Sequence, residues 1–169
     1  KYLEAIISSI GEGIIVIDKN FAVTLVNPGA TKILGILPSE LLGKHIIDAF
    51  PISRDGQTIS RDEHPIFHAL TSKGIIVGEL GENYAYEAAK HPKFPISLII
   101  TPLFIADAFF GEIIVFRDIT EMKRLEDART NFISVASHQL RTPLTSMRWF
   151  MEMLLAGDAG PLNEKQTKY

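Results

Sequence analysis

The sequence has no cysteine, a single tryptophan and no long uninterrupted apolar run. The missing cysteine excludes disulfide scaffolds, thiolate zinc sites, iron–sulfur clusters and cysteine nucleophiles at once. Every apolar patch is strand-sized, well short of the roughly 18 residues that read as a membrane helix. An excess of positive charge is missing too: 17 Lys+Arg stand against 20 Asp+Glu in 169 residues. That balance leaves no basic footprint for nucleic acid. Lys1-Tyr2-Leu3-Glu4 is neither a signal peptide nor a natural initiator methionine, so the chain reads as excised from something longer. What is present, 46% hydrophobic and 22% charged, is ordinary for a globular protein.

Charge divides the chain near residue 120. Residues 1–120 hold 10 Lys+Arg and 14 Asp+Glu, net −4; residues 121–169 hold 7 and 6, net +1. The hydrophobic period changes at the same place.

In the first part, Glu4–Ile10 predicts a short amphipathic helix stopped by Gly11 and Gly13. The β-branched run Ile14–Ile17 and the segment Phe21–Val26 predict a hairpin around Asp18-Lys19-Asn20. Ala30–Gly35, Ser39–Gly43 and Ile46–Phe50 predict short helical pieces, and Ser53–Asp62 a polar loop. Pro65–Ser72 has apolar residues at helical spacing. Ile75–Leu80, Phe94–Phe104 and Phe109–Phe116 predict three more strands, with Glu82–Lys93 as a strand end plus loop. Strands in runs, with helices segregated between them, specify an α+β domain with an antiparallel sheet.

After residue 116 the pattern turns helical. Asp118-Ile119-Thr120-Glu121 has the spacing of a capping box. The helix is predicted to run through about Leu155, with only Pro143 against it. Gly157, Gly160 and Pro161 would end it, and Leu162–Tyr169 would begin another.

Four pieces of the first part resemble a PAS sensory domain: Ser9–Asp18, Val26-Asn27-Pro28-Gly29-Ala30, Leu42-Gly43-Lys44 and Gly111–Thr120. The resemblance covers residues 1–120. It implies a five-stranded antiparallel sheet with flanking helices that enclose a ligand cavity. The absent cysteine excludes the flavin-adduct light sensors of that superfamily. His64 and His68 flank the helix that carries a haem-ligating histidine in some members, and their i, i+4 spacing also suits a shared metal. A surface or capping role is the simpler reading of both. His45 and His91 read as surface residues, and Asn27 as a structural hydrogen-bonding residue at a strand–helix corner.

The second part has its own geometry. Phe132, Ala136, Leu140, Leu144, Met147, Met151 and Leu154 recur at steps of three and four, an apolar seam suited to a coiled coil or four-helix bundle. Met122 and Leu125 extend the seam upstream, Arg129 interrupts it, and Trp149 lies off its centre as bundle packing. At about 100° per residue His138 lies nearly opposite Ala136 and Leu140, facing solvent on a rigid rod. Thr142 follows one turn on. An exposed imidazole with a reference pKa of about 6.5 suits nucleophilic phosphoryl transfer.

Ser137-His138-Gln139-Leu140-Arg141-Thr142-Pro143-Leu144-Thr145 resembles the H-box of sensor histidine kinases. That resemblance covers residues 121–169, a signalling helix and a partial dimerisation and phosphotransfer domain. It implies that His138 takes phosphate from ATP and passes it to an aspartate of a response-regulator receiver domain. It implies a homodimer through the helix after residue 120, and Thr142 as the residue that orients water for dephosphorylation. Gln139 stands where the family usually has Glu or Asp. An amide can hydrogen-bond the imidazole but accepts no proton at neutral pH.

The family's ATP-binding domain would follow the hairpin, so this chain alone is expected to be inactive. The expected localisation is cytoplasmic, with the parent anchored in a membrane, if at all, upstream. No resident cofactor or metal is assigned, and the PAS ligand is unnamed. The alternatives are a PAS dimerisation module without phosphotransfer and a haem- or flavin-bearing gas, redox or light sensor.

Overall fold

The computed structural model describes residues 2–72, 75–78, 83–88, 92–158, 160, 161, 163 and 165. Two units separate, Lys1–Glu121 and Met122–Tyr169.

The first unit opens with helix α1 (Tyr2–Ser9) and the antiparallel pair β1 (Gly13–Asp18) and β2 (Val23–Val26). Helix α2 (Pro28–Leu34), a 3-10 turn at Pro38–Glu40 and helix α3 (Ile46–Ala49) follow. Then come β3 (Ile52–Arg54), β4 (Gln57–Thr58), a second 3-10 turn at Arg61–Glu63 and helix α4 (Pro65–Ser72). The unit finishes with β5 (Ile76–Gly78), β6 (Tyr84–Tyr86), β7 (Phe94–Ile105) and β8 (Ala108–Asp118). The sheet order is β2-β1-β8-β7-β6-β3-β4, and β5 also pairs with β7.

Among the described residues the expected five strands are eight, though the α+β antiparallel class stands. The additions, β3, β4 and β6, are two or three residues long. The segment expected to be a polar loop contains the β3–β4 hairpin, closed by Asp55 (φ 51°) and Gly56 (φ 79°). Positive φ at both central residues is the type I′ geometry that matches strand twist. The second strand begins at Val23 and not Phe21, because Phe21 takes φ 62° in the preceding turn. Asp18 organises that turn: its carboxylate accepts from Asn20 N–H (2.8 Å) and Ala22 N–H (3.0 Å). Those bonds, Ala22's foremost, hold it below the ordinary carboxylate range.

Alternation along β8 sets the core. Glu112, Ile114 and Phe116 are buried, while Ile113 and Val115 are half-buried. Ile15 and Ile17 of β1 and Leu98 and Ile100 of β7 join the same inner face. Ala30, Leu34, Ile46, Phe50, Ile66 and Ala69 cover it from the helical side. Phe50 lies between Phe116 (centroids 4.7 Å) and Tyr86 (5.5 Å).

Helix α5 runs from Thr120 to Ala156. The expected capping box does not form. Asp118 belongs to β8, and its carboxylate instead accepts from the Thr120 N–H (2.8 Å) and hydroxyl (2.6 Å). At the far end, Gly157 N–H donates to Leu154 O (3.2 Å) and Asp158 N–H to Met153 O (3.2 Å). This is a Schellman closure, with Gly157 at φ 85°. No helix among the described residues is long and apolar enough to cross a membrane. Most of the expected second helix at Leu162–Tyr169, the end of the strand Ile75–Leu80 and His91 lie outside the described residues.

Candidate functional site

The chemistry-bearing motif sits within α5, whose 37 residues span about 55 Å. His138 is exposed. One open stripe of the helix carries His138, Arg141, Thr142, Thr145, Ser146 and Trp149. These positions recur at three and four residues, so their side chains share one face. Trp149, read from sequence as bundle packing, belongs to the imidazole's stripe, three turns along. Eleven residues bring a helix back to within about 20° of the starting direction. That angle was the signal available in the sequence.

Three features weaken the helix hydrogen bonding here. Pro143 offers no N–H, so the Gln139 carbonyl loses its helical donor. The Thr142 hydroxyl donates to His138 O (3.4 Å) and the Ser146 hydroxyl to Thr142 O (3.1 Å). Hydroxyls bonded back onto the preceding turn favour bending. Thr142 is thus on His138's face, but its hydroxyl is directed to the backbone. One turn on, Arg148 Nε donates to Glu152 Oε1 at 2.8 Å.

The large side chains of the apolar seam are exposed along its length. Phe132 is 73% accessible, Leu140 62%, Leu144 61% and Met151 60%. Large apolar side chains aligned in this way mark an interaction surface.

Among the described histidines of the first unit, His68 is exposed as expected, His64 takes the capping alternative, and His45 departs from its surface reading. His45 is half-buried and caps α3, its Nδ1 accepting from Ile47 N–H (3.4 Å), with its ring 6.0 Å from that of Phe21. His64 is a buried residue, 3% accessible, and not a surface one. Its Nδ1 accepts from Ile66 N–H (3.4 Å) at the start of α4. Burial, with a contribution from His45, lowers its pKa to about 4. His68 is exposed, so the i, i+4 pair divides between core and solvent. Among the described residues no three His, Asp or Glu side chains gather as a metal site.

Sequence reading missed Glu112. It is 0% accessible, neither carboxyl oxygen has a hydrogen-bond partner, and burial pushes its pKa up to about 8. The sequence offered only a lone acid in the apolar run Phe109–Phe116, two and four residues before Ile114 and Phe116.

Comparison with known proteins places both units. A family model described as the PAS fold matches residues 1–82, and the His Kinase A (phospho-acceptor) domain model matches residues 128–169. An uncharacterized sensor-like histidine kinase, ycf26, of Pyropia yezoensis is 30% identical over 156 residues. That alignment takes in 90% of this chain and 23% of the relative. The sensor protein kinase WalK of Staphylococcus saprophyticus is 28% identical over 155 residues, 92% of this chain and 23% of the relative. The chain thus spans under a quarter of the length of these relatives.

Among solved structures, the PAS domain of nitrogen regulation protein NR(II) from Vibrio parahaemolyticus aligns with TM-score 0.54 at 12% identity. It covers 70% of this chain and 99% of that one. A PAS domain from Colwellia psychrerythraea aligns at 0.56 and 17%, covering 71% and 96%. These likenesses establish the fold of the first unit. With a PAS fold ahead of a match to the His Kinase A (phospho-acceptor) domain, the chain is similar to the sensor portion of sensor histidine kinases.

Proposed function

We propose that His138 is the phosphoacceptor of a two-component histidine kinase, with the PAS domain as its input. The observation that carries this reading is an exposed imidazole inside the Ser137–Thr145 motif, on one continuous helix. The unprotonated ring nitrogen attacks the γ-phosphorus of ATP. The bond from phosphorus to the β,γ-bridging oxygen breaks, ADP leaves, and the proton left on the imidazolium goes to water. The phosphoryl group then passes from nitrogen to a receiver-domain aspartate. Positioning and charge stabilisation supply most of the catalysis in such transfers.

Gln139 holds or orients the ring without taking its proton. Thr142, released from the His138 carbonyl, orients the water that removes the phosphate. The ATP-binding domain is supplied from outside these residues, so the chain alone is inactive. The reaction is placed in the cytoplasm, where ATP is available.

A second copy of the chain covers the seam from Phe132 to Leu154. Burying each Leu, Met or Phe there contributes about 1.5–3 kcal/mol, enough to favour a helical dimer over exposed helices. The test supplies the purified chain with ATP and an ATP-binding fragment of a related kinase. Acid-labile, alkali-stable label should appear on the wild type and be absent from His138→Ala, with helix content unchanged. Equal labelling of both would overturn the assignment. No labelling with any supplied fragment would favour an interaction module.

A further inference from the structure

Among the described residues, three buried side chains have polar atoms with no hydrogen-bond partner: Ser53 (Oγ), His64 (Nε2) and Glu112, which alone is left with both carboxyl oxygens unpaired. Folded interiors pair nearly all such groups, so an orphan calls for a reason. For Glu112 the strand leaves no escape. Ile114 and Phe116, its neighbours at steps of two, are buried on the same face of β8.

The elements around Glu112 offer it nothing. Ile17 stands in register from β1 and Pro102 from β7. The next residue of β1, Asp18, keeps its carboxylate in its own turn. On β8 the charged residues Arg117 and Asp118 are exposed at the far end of the strand. On the helical side Lys32 of α2, Asp48 of α3 and His68 of α4 are exposed, and the less accessible His45 and His64 each have Nδ1 committed to capping their own helix. From β6 the phenols of Tyr84 and Tyr86 are buried in the core. Burial is the sole cause of the upward pKa shift of Glu112, with no charge or hydrogen bond opposing it.

We propose that Glu112 is a proton-responsive switch in the PAS core. Protonated, it lies sealed between β1 and β7; ionised by a mildly alkaline shift, it draws in water and loosens both strand pairings. The position is effective because β8 is central, paired with β1 over Gly111–Phe116 on one side and with β7 over Ala108–Asp118 on the other. The proposal concerns the input unit and holds whether or not His138 accepts phosphate.

The experiment uses the full chain with glutamate carboxyls labelled with carbon-13, titrated from pH 5 to 10. One carboxyl should titrate near 8, and Glu112→Gln should remove that signal. If every glutamate titrates in the ordinary range, the proposal fails. Amide hydrogen exchange supplies a second readout, corrected for the intrinsic pH effect. Opening of β1, β7 and β8 should rise about thirtyfold from pH 6.5 to 9 in the wild type by proton linkage, and stay level in Glu112→Gln. Equal behaviour of the two proteins would also overturn it.

Discussion

Asn27 Oδ1 accepts the backbone N–H of Ile14 at 2.8 Å, and the same oxygen accepts Ala30 N–H at 2.8 Å. One side chain thereby ties the start of β1 to the N-terminus of α2. Its amide nitrogen donates to Ile7 O (3.2 Å) and Glu12 O (3.0 Å), fastening the end of α1 and the loop after it. Asn27 itself is 2% exposed. Asn27→Ala leaves buried backbone groups unpaired, each costing about 1–3 kcal/mol. Urea unfolding of the PAS unit should show a loss of about 3 kcal/mol. Asn27→Asp should also destabilise, because its second oxygen would face the carbonyls of Ile7 and Glu12.

Gly111 pairs with Asp18 at φ 151°, and a Cβ there would lie 2.0 Å from Ile17 O. The clash is with backbone, which cannot swing aside. Gly111→Ala should cost about 2–4 kcal/mol, within the range of strain and overpacking effects. A melting temperature within a degree or two of wild type would show that the β1–β8 pairing adjusts freely.

These two residues also show how far sequence reasoning reaches. Asn27 was legible as a corner residue because Asn-Pro-Gly announces a strand end and a helix start. Helix α4 was legible to the residue, since Pro65 opens it and the apolar spacing carries it to Ser72. The β3–β4 hairpin was not. Its Asp55-Gly56 turn is a strong hairpin signal, but strands of three and two residues are too short to show alternation. Glu112 was hidden by the opposite effect: a single acid in a hydrophobic strand reads as solvent-facing until the register with Ile17 and Pro102 puts it inside. The His138 motif was legible because it depends on local order, whereas what covers the exposed seam is not written in the periodicity of one helix.

Gln139 predicts a rate. With an ATP-binding fragment supplied, Gln139→Glu puts a proton acceptor beside His138. General-base assistance is typically worth about 10²–10⁴-fold, so initial phosphorylation of His138 should rise by at least the lower figure. Quench-flow labelling at saturating ATP measures it. An unchanged rate would mean that deprotonation of the imidazole does not limit transfer in this chain.

His64 and Glu112 make opposing contributions to stability as pH changes. The folded pKa of His64 is about 4 against 6.5 unfolded. Between those values the unfolded chain binds a proton that the fold does not, so stability rises with pH from 4 to 6.5. The folded pKa of Glu112 is about 8 against 4.5 unfolded. Between those values the fold holds a proton that the unfolded chain has lost, so stability falls as pH rises from 4.5 to 8. The two slopes nearly cancel between 4.5 and 6.5; above 6.5 only Glu112 acts. The PAS unit should therefore lose about 2 kcal/mol between pH 6.5 and 8, at about 1.4 kcal/mol per unit. Glu112→Gln should abolish that loss and leave the rise below 6.5. His64→Asn keeps an N-cap acceptor and should fall steadily from pH 4.5 to 8. Chemical denaturation at half-unit pH steps distinguishes the three curves, and identical slopes in wild type and Glu112→Gln would remove Glu112 from the account.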